Sequence, residues 1–138
     1  MRVVADTNTV VSGLLWHGPP RRVLDSARAG IVDLFTTAVL LAELEDVLGR
    51  EKFIERLARV ALTPRDLVFG YAALARLIEP AAIDPTVLAD PDDDAVLACA
   101  VAAGAEAIVS GDSHLLNLKG FQGVPILNAT DLLARISS

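Results

Sequence analysis

The chain has 138 residues, of which 53% are hydrophobic, with one cysteine and a formal net charge of −6. That length and apolar content suit one packed domain spanning residues 1–138, and no apolar run approaches the roughly 18 residues of a membrane-spanning helix. A lone thiol excludes an internal disulfide, and the acidic balance argues mildly against passive nucleic-acid binding through a basic surface, though not against an enzyme that recruits cations first.

Met1-Arg2-Val3-Val4 opens directly into a strand-like run rather than a secretory leader, so a cytoplasmic location without membrane contact is expected. "RVVAD" reads as a short buried strand, and "PPRRVLDSARAG" as a helix with prolines before its first turn and Gly30 as its C-terminal cap. "IVDLFTT" is a second strand whose threonines can cap a helix over 38–50, with Leu40, Leu44, Val47 and Leu48 on one stripe. "EKFIERLARV" and "TPRDLVFGYAALARLIEP" read as two amphipathic helices forming an insertion or outer layer. "PDDDAVLACAVAAG" is a helix apolar on nearly every face, expected to lie buried with Cys99 as an inert thiol. "EAIVSGD" and "GVPILNA" are further strands, and "TDLLARI" closes the chain as a helix. Strands alternating with helices predict an α/β fold with a parallel sheet covered on both faces.

In such sheets ligands collect outside the carboxyl ends of the strands. Asp6 ends the first strand and Asp112 follows a later one, while Asp90 to Asp94 open the apolar helix and Glu43 and Glu45 lie in the helix after the second strand. Each has an ordinary explanation. Asp6 can cap a helix starting near Val10, Asp112 can turn with Gly111, and the aspartates around Pro91 suit a helix N-terminus. Glu43 and Glu45 flank the Leu40/Leu44/Val47 stripe and can both be solvated. Against this stands the coincidence of several such acids at sheet-rim positions, with Thr7, Asn8 and Thr9 following the first. Helical spacing puts Asp93 on a stripe with Leu97, Ala100, Val101 and Gly104, which favours it over Asp92 and leaves Asp94 open.

"VVADTNTVVSGLL", "LLAELEDVLGREKF" and "DPDDDAVLACAVAAGAEAIVSGDSHLLNLKGFQGVPILNATDLL", in this order, resemble the successive motifs of the PIN-domain nucleases, in particular bacterial toxins of toxin–antitoxin systems similar to VapC-type toxins. The resemblance covers nearly the whole chain. It implies a PIN-like three-layer α/β/α fold with a central parallel sheet. It also implies a catalytic set of Asp6, Glu43, Asp93 and Asp112, of which Asp6, Asp93 and Asp112 hold metal. Asn8, Asp90, Asp94 and Ser110 are accessory positions under the same resemblance, and it is the resemblance that selects Glu43 over Glu45. It further implies an endoribonuclease that acts on RNA, pairs with an antitoxin protein and forms a homodimer.

The residue types agree with that chemistry. Carboxylates without His/Cys zinc spacing suit hard Mg²⁺ or Mn²⁺, and one or two such ions can drive phosphodiester hydrolysis. Arg21, Arg22 and Arg28 on the first long helix, and Arg50, Lys52, Arg56 and Arg59 further on, are candidate phosphate contacts or simply solvated faces. Trp16 and His17 lie in a loop where the indole can stack on a base or pack, and His114 after "GDS" is a candidate phosphate donor or turn residue. Two other readings remain. A phosphohydrolase or phosphoacceptor domain expects an acid two residues after Asp6, where Asn8 stands. A non-catalytic PIN-like protein-binding module does not account for four filled acidic positions.

Overall fold

The computed structural model describes residues 1–86 and 91–137; Asp90 lies outside the described residues. Among these, β1 (Arg2–Ala5), β2 (Asp33–Thr36), β3 (Arg76–Leu77), β4 (Ala107–Val109), β5 (Gly120–Phe121) and β6 (Val124–Leu127) form one sheet in the order β3-β2-β1-β4-β6-β5. All pairings are parallel except that of β5 with β6. The expected parallel sheet is thus present from β3 to β6, with one antiparallel strand, β5, added at its edge. The two-residue turn between β5 and β6 places Gln122 and Gly123 at φ 48° and 82°, the doubly positive geometry of a tight hairpin turn.

Helices α1 (Thr7–Leu15), α2 (Pro19–Arg28), α3 (Ala38–Leu48), α4 (Glu51–Arg59), α5 (Pro64–Leu74), α6 (Pro91–Ala103), α7 (Ser113–Leu116) and α8 (Ala129–Ile136) cover the sheet. Successive strand side chains point to opposite faces, and the core divides accordingly. Val3, Ala5, Leu34, Ala107 and Val109 pack beneath α1, α2, α4, α5 and α8. Val4, Ile108 and Ile126 pack beneath α6 and α7. The result is the expected three-layer α/β/α arrangement. Helix α3 joins the two outer layers, since its Leu44, Val47 and Leu48 enter the first core and its Leu40 the second.

Local chemistry explains most boundaries. Asp6, Thr37, Thr63 and Asn128 each cap a helix by accepting an amide N–H through the side chain, and Gly30 at φ 77° ends α2. Two boundaries are corrected. Helix α1 starts at Thr7, not near Val10. The helix from Pro64 stops at Leu74, because Ala75 turns to extended backbone (φ −97°, ψ 163°) and Arg76–Leu77 pair with β2. Of the two expectations for α4 and α5, the outer layer holds, since Phe53, Leu57, Val68 and Tyr71 pack in the larger core on one face of the sheet. Cys99 is fully buried, and burial pushes its thiol up to about 12. Among the described residues no helix is long and apolar enough to cross a membrane.

Candidate active site

The strand order creates one topological reversal. From β1 the chain builds outward through β2 to β3, then returns across the sheet to place β4 on the other side of β1. Loops leaving β1 and β4 therefore diverge and open a crevice at the carboxyl edge between them. Asp6 and Ser110 are the first residues past those two strands, and the ladder continues through them: Asp6 N–H donates to Val109 O at 3.0 Å and Ser110 N–H to Leu127 O at 2.9 Å. Asn128 holds the matching position after β6.

Asp6 is only 4% exposed, and its partners are neutral. Thr9 N–H donates to its Oδ1 at 2.9 Å, and the Ser110 hydroxyl donates to its Oδ2 at 2.5 Å. Burial raises the pKa of Asp6 above the usual carboxylate value; the Ser110 and Thr9 bonds oppose that rise, and the charge of Asp112 adds to it. Ser110, 1% exposed, also accepts the Asp112 N–H at 2.9 Å. A single hydroxyl thus joins two acids that stand 106 positions apart in the sequence. Asp112 in turn caps α7, accepting the His114 N–H on Oδ1 at 2.7 Å.

Asp93 enters from the other layer, in the first turn of α6, and is 6% exposed. Carboxylate oxygens of Asp93 and Asp112 and an imidazole nitrogen of His114 all lie within 4.8 Å of one another. Its neighbour Asp94 faces elsewhere, with both carboxylate oxygens accepting the Thr86 N–H at 3.1 and 3.2 Å. Glu43 sits on α3, which packs against both α1 and α6, and its Oε2 is sealed from solvent. Glu45, on the same helix, is exposed.

The donor set fits a hard divalent ion. Two carboxylates and an imidazole converge, and a third carboxylate is held beside them by neutral groups only, so the site accumulates negative charge that a cation would relieve. Ligands on one ion with bonds of about 2.1 Å lie at most about 4.2 Å apart, so small side-chain rotations bring the three donors into range.

Other sequence-derived candidates separate from this cluster. Arg21 donates to Gly13 O at 2.7 Å and Leu14 O at 3.2 Å, closing the end of α1 opposite Asp6, roughly a dozen ångströms away at 1.5 Å per residue. Arg22 is exposed on α2, beside Thr130 and Ser137. Trp16, 42% exposed, meets Phe53 edge-on at 5.9 Å and lies under Arg56 at 5.1 Å, an assignment to packing. Asn8 lines a cavity of about 420 Å³ beside the acids, together with Ser12, Ser110, Asp112, Asn128 and Thr130. The last two were not anticipated. Their signal was available, since Asn128 follows β6 as Asp6 follows β1.

Comparison with known proteins adds a family and a fold. The profile described as PIN domain matches residues 2–114. No curated protein matches by sequence. Among solved structures, a chain from the crystal structure of VapBC2 from Rickettsia felis, bound to a DNA fragment from their promoter, superposes with a TM-score of 0.62. The match covers 93% of this chain and 98% of that one at 15% sequence identity, a likeness of fold.

Proposed function

Because the chain belongs to the PIN domain family, we propose that it is an endoribonuclease dependent on Mg²⁺ or Mn²⁺ and the toxin of a toxin–antitoxin pair. The observation that supports this reading is the meeting of Asp93 and Asp112 at the crevice beyond β1 and β4, with the Ser110 hydroxyl linking the Asp6 carboxylate to the Asp112 backbone. Asp93 and Asp112 would hold the ion directly, Asp6 would do so directly or through water, and Glu43 would complete the cage from α3. A divalent ion bound there supplies an activated water and neutralises charge on the phosphate and leaving oxygen.

The chain's own residues do the positioning. Ser110 and Thr9 N–H keep Asp6 aimed and favour its ionised form. The cap formed by Asp112 fixes the turn that presents its own carboxylate. Beside them, Asn8, Ser12, Asn128 and Thr130 offer uncharged donors and acceptors to a nucleotide next to the scissile phosphate. The fold likeness to a VapBC2 chain supports an antitoxin as partner; a homodimer and a cytoplasmic location complete the proposal.

The test is cleavage of RNA by the purified chain with Mg²⁺, with Mn²⁺ and with chelator, alongside Asp6→Ala and Asp112→Ala. Metal-dependent cleavage that both variants lose by 100-fold or more, roughly 3 kcal/mol of barrier, is expected. Growth arrest on expression should likewise vanish in Asp6→Ala. Cleavage that survives chelation, or arrest that survives the substitution, would overturn it.

A further inference from the structure

Resting on the metal-centre reading above, we propose that His114 is a nitrogen ligand of the ion held by Asp93 and Asp112, and that this imidazole biases the site toward Mn²⁺ over Mg²⁺. Three observations point there. The ring belongs to the tight group of donors, within 4.8 Å of both carboxylates. Its backbone is pinned, since its N–H donates to Asp112 Oδ1 at 2.7 Å, which keeps the first turn of α7 beside that carboxylate. The ring itself is uncommitted: Nδ1 stands 3.7 Å from Asp112 Oδ1, beyond hydrogen-bond range, and among the described residues the ring makes no hydrogen bond.

With its side chain 53% exposed, the ring can rotate the short distance that coordination requires without disturbing the core. The resulting donor set is two carboxylate oxygens and one imidazole nitrogen. Mg²⁺ prefers oxygen alone and retains water, whereas nitrogen donors are accepted progressively better along the first-row divalent series. Removing the ring should therefore weaken Mn²⁺ much more than Mg²⁺.

The experiment uses the full, untagged, metal-free chain titrated with Mn²⁺ and with Mg²⁺, and pulsed electron paramagnetic resonance of the Mn²⁺ form. Wild type should show coupling to a directly bound imidazole ¹⁴N. His114→Ala should lose it, while substitution of the other histidine, His17→Ala, should keep it. His114→Ala should weaken Mn²⁺ about tenfold or more, in the range by which loss of a histidine's supporting interactions perturbs metal sites, and Mg²⁺ about twofold or less. Bound Mn²⁺ without nitrogen coupling in wild type, or affinities unchanged in His114→Ala, overturns the proposal and leaves the acidic centre standing. Failure of wild type to bind either ion overturns both.

Discussion

Replacing Ser110 with alanine tests whether one hydroxyl holds the acidic centre together. The side chain is 1% exposed, donates to Asp6 Oδ2 at 2.5 Å and accepts the Asp112 N–H at 2.9 Å. A hydrogen bond to a charged group is worth about 1.5–3 kcal/mol, and the part-buried Asp112 amide left without its acceptor adds about 0.5–1 kcal/mol. Ser110→Ala should therefore cost about 2–4 kcal/mol in the metal-free protein at a pH where Asp6 is ionised. With an unfolding entropy near 0.3 kcal/mol/K for a chain of this length, Tm should fall by about 7–13 °C.

The pH dependence separates this mechanism from simple loss of packing. The native pKa of Asp6 is raised, so the native state retains a proton that the unfolded state has shed, and stability declines as pH climbs from the ordinary carboxylate value through the native one. Ser110 opposes that rise. Without it the native pKa climbs further, and the deficit of the variant is small below the wild-type native pKa and grows until pH passes the variant's own. Urea unfolding of both proteins in chelator, from about pH 4 to about pH 9, measures the difference. Parallel curves, or a loss under about 0.5 kcal/mol throughout, would refute the claim that Ser110 stabilises an ionised Asp6.

Three other substitutions probe separate claims. Asp93→Ala should abolish Mn²⁺ binding and reduce RNA cleavage by 100-fold or more, roughly 3 kcal/mol, whereas Asp94→Ala should keep both and lose only about 1 kcal/mol of stability with its Thr86 bond; equal behaviour in the two would reduce the cluster to a helix cap. Gly13→Ala would place a Cβ 2.8 Å from Leu24 Cδ1 and 2.9 Å from Pro20 O. Thermal unfolding should show a net loss of about 1–2 kcal/mol despite alanine's better helix propensity, and a stabilised variant would mean that α1 and α2 separate easily. Tyr71 buries a hydroxyl that has no hydrogen-bond partner among the described residues, so Tyr71→Phe should leave stability unchanged or raise it by up to about 1 kcal/mol. A loss larger than that in urea unfolding would betray a partner for that oxygen.

Much of this architecture was legible in the chain itself, because short-range physics specifies it. Apolar runs bounded by Thr37 and Gly30 mark strand and helix limits through capping chemistry and backbone conformation. Once the strands run parallel, acids that follow β1 and β4 must share one edge of the sheet, so the rim position of Asp6 and Asp112 needed no coordinates. The end of α5 was not legible, because what draws Arg76–Leu77 out of the helical pattern is the open edge of β2, a partner some forty positions earlier.

What the sequence by itself determined is which carboxylates lie at the rim. What only the tertiary structure decided is which of them meet, and through what. Adjacency of β1 and β4 arises from pairing across about a hundred residues, and it alone sets Ser110 between Asp6 and Asp112. Asp93 and Asp94 are a helical step of 100° apart, and no local rule separates them until α6 docks and turns one to His114 and the other to Thr86. Capping and periodicity act over a few residues, whereas convergence depends on the packing of the whole chain, since only the finished core fixes how each helix is rotated against the sheet.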